Sequence, residues 1–174
     1  MKPHCSQAIC VSIDSVLWAV EKGITNGVTD TLFDPDDHCV RAVVVTFLWR
    51  AAGKPEPTTS NPFVDVKESD FYYKAVLWAV EEGITKGMDT SHFGPMLSCT
   101  RAQAVTFFWR SQNCPASDVQ ISFPDVEPDA FYTTAVAWAV EKDITNGMND
   151  GTFGVDGVCT RAQVVTFLYR ALAK

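Results

Sequence analysis

Apolar positions recur at helical spacing in short blocks, divided by polar, turn-forming stretches. In one block Phe71, Ala75, Trp78 and Ala79 stand four, three and one apart. That is one stripe of a helix predicted over roughly Asp70 to Glu82. Gly83 follows at a natural C′ position, where a left-handed residue ends a helix; Asp143 takes that place in a later copy at modest cost. Turn chemistry comes next, in Asp34-Pro35-Asp36 and Asn149-Asp150-Gly151. A second helix is predicted to start at Thr100 and again at Thr160, where Thr-Arg-Ala-Gln forms a capping box: the hydroxyl accepts from the N3 amide and the glutamine reaches back. Val40 and Val43 occupy both capping places in the first copy, so that helix start is expected to be looser by about 1 kcal/mol.

The blocks are three copies of one unit. Trp18, Trp78 and Trp138 are 60 residues apart, as are Cys39, Cys99 and Cys159, and Phe33, Phe93 and Phe153. The first copy departs at its start: Phe63-Val64-Asp65-Val66 and Phe123-Pro124-Asp125-Val126 correspond to Pro3-His4-Cys5-Ser6, and the later Phe-Tyr pairs correspond to Val11-Ser12. Either this copy has diverged or the true start lies upstream. The expected units are residues 1–54, 61–114 and 121–174, joined by the Pro-, Ser- and Thr-rich linkers Gly53–Asn61 and Ser111–Ser122 and forming together one compact domain. One unit buries little surface alone, so the three must share a core, as a closed pseudo-threefold bundle or a short solenoid. A solenoid of three offers little interior to repeat against, which favours an all-α closed bundle.

Composition narrows the function. With 47% hydrophobic and 20% charged residues the chain is no disordered polymer, and no window approaches the length of a membrane span. A net charge of −7 argues against nucleic acid, so an anionic ligand needs a local site. The opening residues lack the basic and apolar regions of an export signal. His4, His38 and His92 fall at non-equivalent places, and no nucleophile elbow, phosphate loop or zinc-protease motif occurs, so neither catalysis nor a cofactor is expected.

The repeated residues carry the candidate chemistry. Arg41, Arg101 and Arg161 each sit one residue inside a helix N-terminus, where free amides and the positive dipole end favour an anion. Alternatively each arginine pairs with an acid of a neighbouring unit, Asp65 or Asp125, and staples the bundle. Arg50, Arg110 and Arg170 lie late in their helices and read as structural. Gly27, Gly87 and Gly147 are turn glycines, or else hold backbone open to a ligand. The tryptophans read as core, whereas Tyr72, Tyr73 and Tyr132 are placed to present a ring at a groove. The acidic loops from Asp30 to Asp37 and from Asn149 to Asp156 lack the closing glutamate of a calcium loop. Cys39, Cys99 and Cys159 would be either far apart or clustered in a trio; no histidine repeats to complete a metal site, so they read as buried thiols. Cys5, Cys10 and Cys114 follow no pattern.

Taken together, F-x-D-V, the aromatic pair, A-V-x-W-A-V-E-x-G-I-T-x-G, F-x-P-D and T-R-A-Q-x-V-T-F closely resemble the S-layer homology repeat across nearly the whole chain. The resemblance implies a pseudo-threefold helical bundle with grooves between adjacent units. It implies a cell-wall anchor of the Gram-positive cell surface, extracellular at the wall or S-layer. The implied ligand is a secondary cell-wall polysaccharide carrying pyruvate ketals, or a peptidoglycan-associated glycan, and the anchored cargo is a surface protein. The family's ligand-holding arginine corresponds to Arg101 and Arg161, and to Arg41 within a degraded Val-Arg-Ala-Val. The turn glycine matches Gly27, Gly87 and Gly147; the acid and aromatics from the start of a unit match Asp65, Asp125, Phe71, Tyr72, Phe131 and Tyr132. Glutamine replaces the family's usual glutamate, keeping the cap and losing a charge. The groove that uses the start of copy one is expected to be weak, leaving at most two working sites. The alternatives are a protein-interaction or self-assembly module, and the anchor of a larger cell-wall hydrolase.

Overall fold

The computed structural model describes residues 13–29 and 31–173. These form six helices: α1 Ile13–Glu21, α2 Arg41–Ala51, α3 Tyr73–Glu81, α4 Arg101–Ser111, α5 Thr133–Glu141 and α6 Arg161–Leu172. The start of copy one, with Cys5, Cys10 and Val11, lies outside the described residues.

The first helix of a unit is shorter than its apolar stripe predicts. α3 begins at Tyr73, not near Asp70, because Asp70 closes the preceding turn: its Oδ2 accepts from the Lys67 amide at 2.8 Å and its carbonyl from Tyr73 at 3.0 Å. The helix ends are as expected. Gly83, at φ +68°, donates to the Val80 carbonyl, and Ile84 to that of Ala79 at 2.8 Å, the paired bonds of a Schellman stop. Asp143 makes the same stop at φ +55°. Both capping boxes form, Thr100 with Gln103 and Thr160 with Gln163, while Val40 makes no side-chain cap.

The packing is interleaved. α2 lies on α3, α4 on α5 and α6 on α1, so the second helix of each unit packs on the first helix of the next. The last pairing closes the ring, with the Ser15 and Thr166 hydroxyls hydrogen-bonded at 3.1 Å and Trp18 edge-on to Tyr169 at 5.6 Å. Where the units meet, three peptide groups form a cycle: Cys39 N–H donates to Cys159, Cys99 to Cys39 and Cys159 to Cys99, at 2.8, 2.8 and 3.0 Å. The three cysteines are therefore the clustered trio at a pseudo-threefold axis. All three are buried free thiols. Burial pushes Cys39 and Cys159 up to about 12 and Cys99 well above the ordinary value of 9.0. Trp78 and Trp138 belong to the core, with Trp18 packed at its edge.

Candidate functional site

The start of each second helix is built by two units. The first two amides of α2, Arg41 and Ala42, donate to the carbonyls of Leu97 and Pro95 in the next unit's loop, at 2.9 and 3.1 Å. Arg101 and Ala102 donate likewise to Gly157 and Val155, and Arg161 and Ala162 to Asp37 and Pro35. The N3 amides of Gln103 and Gln163 go to the capping threonines. The amides expected to be free for an anion are thus already hydrogen-bonded, because the neighbouring loop supplies carbonyls where a lone helix would meet water.

The arginine side chains point the same way, into the neighbouring unit. Arg41 Nε donates to the Phe93 carbonyl at 3.1 Å, Arg101 Nε to Phe153 at 2.9 Å and Arg161 Nε to Phe33 at 2.9 Å. Each guanidinium also lies between two phenyl rings: Arg41 between Phe93 and Phe107, Arg101 between Phe153 and Phe167, Arg161 between Phe33 and Phe47. Desolvated cation–π contacts of this kind are worth about 2 kcal/mol. The arginines do staple the bundle, but through carbonyls and rings rather than through the expected acids. Asp65 instead accepts from the amides of Phe93 and Gly94 at 2.9 and 2.8 Å. Asp125 accepts from Phe153, Gly154 and Val155. Burial raises the Asp125 carboxyl, but those three amides outweigh it and hold it below the usual range. Each acid therefore shapes the loop whose carbonyl takes the arginine.

Among the described residues two guanidinium nitrogens are buried without a partner, Arg41 Nη2 and Arg101 Nη1. Arg101 Nη2 is held by Thr145 Oγ1 at 3.1 Å and Arg161 Nη2 by Thr25 Oγ1 at 3.4 Å. Burial lowers the pKa of both Arg41 and Arg101, with Asp65 and Asp125 respectively among the partial offsets. Arg41 lines a groove of about 300 Å³ together with Lys86, Gly87, Gln103, Arg110 and Phe131. Three units meet there, and the lining holds three cations and no acid. A strongly local positive site thus sits in a protein of net charge −7.

Of the residues expected at the site, Arg41, Gly87 and Phe131 come together in this groove. Gly87 is at φ +85°, and a Cβ there would lie 2.7 Å from the His92 carbonyl and 2.5 Å from Phe63, so tight packing alone requires glycine. Gly27 and Gly147 are at φ +83° and +85°, each with a neighbouring carbonyl equally close. The aromatic pairs divide their tasks differently from the expectation. Tyr72 is buried beside Asp70, and burial, with that hydrogen bond, raises its phenol. Phe71 and Phe131 are the exposed rings, each edge-on to its tyrosine at 5.0 Å. Tyr73 and Tyr132 are half-buried.

Sequence reasoning read Arg110 as structural only and passed over Lys86 and the buried Thr85 as site residues. Arg110 Nη1 donates to the Ile84 carbonyl at 3.1 Å, as Arg50 and Arg170 do to Ile24 and Ile144, which holds its charge at the groove wall. The 60-residue recurrence of Thr25, Thr85 and Thr145 was the available signal.

The sequence pattern of the S-layer homology domain matches residues 11–42, 62–105 and 122–165. The chain belongs to the S-layer homology domain family. Its relatives include Exoglucanase XynX of Acetivibrio thermocellus, 28% identical over 157 residues, covering 87% of this chain and 14% of that protein. The Surface-layer 125 kDa protein of Lysinibacillus sphaericus is 30% identical over 105 residues, 60% of this chain and 9% of that one. The Cellulosome-anchoring protein of A. thermocellus is 30% identical over 93 residues, 51% of this chain and 21% of that one. The chain thus spans a small part of each of these relatives. As a tandem of S-layer homology domains it is a binding and anchoring module of the cell wall and S-layer, outside the cell. Among the described residues no helix is long and apolar enough to cross a membrane.

Proposed function

We propose that these S-layer homology domains anchor the protein by holding an acidic cell-wall glycan, of the pyruvylated secondary-polymer type, in the grooves between repeats. The observation that carries this reading is Arg41 Nη2, a buried donor without a partner at a groove with two further cations and no acid. A ketal carboxylate is an acceptor of the size and charge that such a donor lacks, and charge-assisted bonds of this kind are the strong ones. Phe131 offers a ring at the rim for the apolar face of a sugar. Whichever groove uses the start of copy one, which lacks the F-x-D-V and the aromatic pair, is the weak one, leaving at most two working grooves.

The test is co-sedimentation with purified wall sacculi, intact and stripped of secondary polymer. Arg41 is buried and holds the fold together, so Lys86→Ala and Phe131→Ala, both at exposed residues, are the informative variants. Each is expected to weaken binding about tenfold, or 1.4 kcal/mol, with the melting temperature unchanged. Binding that survives stripping, or that ignores both variants, overturns the glycan reading.

A second reading, that the chain is the anchor of a larger wall-bound hydrolase, is favoured by its matching 87% of itself to only 14% of an exoglucanase. The mass of the polypeptide isolated from the native cell envelope tests it. A mass equal to that of this chain alone excludes it.

A further inference from the structure

The linkers between units are straps. Along 54–62 and again along 114–122 the odd-numbered residues are half-buried and the even-numbered ones exposed, the alternation of an extended segment lying on a surface. Pro55, Pro57, Thr59 and Asn61 face inward in the first strap; Pro115, Ser117, Val119 and Ile121 do so in the second. Each strap is fastened to the same tryptophan and the same glutamate of the unit, though the hydroxyls that meet the glutamate are one position out of step. Trp49 Nε1 donates to the Pro55 carbonyl at 2.8 Å, and Trp109 Nε1 to Pro115 at 2.8 Å. Further on, the carboxylate at the end of the next helix takes a strap hydroxyl, Glu81 that of Thr58 and Glu141 that of Ser117. Under these straps Leu77 is 4% exposed and Ala137 6%.

Among the described residues, α1 carries the same face without a strap. Ile13, Leu17 and Val20, at the positions of Tyr73, Leu77 and Val80, are 72%, 60% and 48% exposed. They stand at i, i+4 and i+7, one continuous apolar stripe. The fastening points recur around it. Glu21 stands where Glu81 and Glu141 stand, and Tyr169, at the position of Trp49 and Trp109, packs its ring on Trp18. A tyrosine hydroxyl, like an indole N–H, is a donor for a backbone carbonyl.

We propose that this face of α1 is a docking site for an extended, proline-led peptide segment of the strap type, entering beside Tyr169 and hydrogen-bonded through a Ser or Thr hydroxyl at Glu21. Pseudo-threefold closure supplies the direction. Each observed strap leaves the second helix of one unit and crosses the first helix packed on it, so the third would leave α6 and cross α1.

The test appends the sequence of residues 55–62 after Lys174, which stands at the position of Lys54, beside a scrambled extension of equal composition. The strap sequence is expected to raise the melting temperature by about 3 °C, a gain the scrambled extension does not give. Leu17→Glu, at an exposed position, and Glu21→Gln are each expected to abolish the gain. Equal melting of strap and scrambled chains overturns the proposal. So does a concentration-dependent dimer of the unextended chain that Leu17→Glu dissolves, because the occupant would then be a second copy.

Discussion

The arginine at the head of each second helix joins two tasks that are usually separate. Its Nε and ring contacts are made with the next unit's loop, so it is part of the fold. The three arginines nevertheless differ in what holds their remaining nitrogens. Thr145 holds Arg101 Nη2 and Thr25 holds Arg161 Nη2, each threonine also accepting from its turn-glycine amide, whereas Arg41 Nη2 is buried with no such partner. The cysteine trio makes a prediction at the same scale. Thiols held neutral by burial do not react, so alkylation of the native protein in mildly alkaline buffer should label Cys114, which is exposed, and spare Cys39, Cys99 and Cys159. Peptide mapping reads the result. These folded pKa values are raised above the ordinary 9.0, so the unfolded chain releases thiol protons first. Stability is therefore unaffected by the trio below about pH 9 and is lost as pH rises toward about 12. The Cys39→Ala/Cys99→Ala/Cys159→Ala variant should lose that part of the alkaline slope in thermal melts.

At the scale of the element, α2 is the helix whose start was legible as defective. Val40 offers no cap, but it keeps the isolated antiparallel bridge, to Ser98, that Thr100 makes with Val158 and Thr160 with His38. Restoring the box with Val40→Thr and Val43→Gln should stabilise the protein by about 1 kcal/mol in urea denaturation. No gain would mean that the bridge and the donated carbonyls of Leu97 and Pro95 already hold the helix start. The caps and the Schellman stops depend on residues within six positions of one another, and they were readable. The start of α3 was not: the stripe from Phe71 continues the helical spacing, but Asp70 is committed to the turn at Lys67, and Phe71 is left outside the helix with its ring in solvent. Spacing alone does not distinguish a residue buried in the first turn from one exposed just before it.

At the scale of the molecule, the sequence repeat and the packing unit are different things. The two helices of one repeat do not form the packed pair; each second helix lies on the first helix of the next repeat, and α6 returns to α1. Removing one repeat therefore strips two interfaces and leaves an arginine without its carbonyl. The fragment of residues 1–114 should show no cooperative thermal transition, whereas the whole chain should melt in one step. A cooperative fragment would mean that two repeats suffice, contrary to the closed ring.

The recurrence of tryptophan, glycine, arginine and cysteine at a 60-residue step established by sequence alone the number of units, the helix ends, the two working caps and the all-α class. All of these are local or periodic, set by side chains acting on their own stretch of backbone. Only the tertiary structure decided what the arginines face, that the helix-start amides are already taken, and that Arg41, with an unpartnered buried nitrogen, lines a groove with Lys86, Arg110 and Phe131. The reason is physical. The acceptors are carbonyls, which every residue carries, and they arrive from another repeat 52 residues along the chain for Arg41 and 128 for Arg161. A backbone group leaves no mark in the sequence, so its use as a partner becomes visible only when the ring closes.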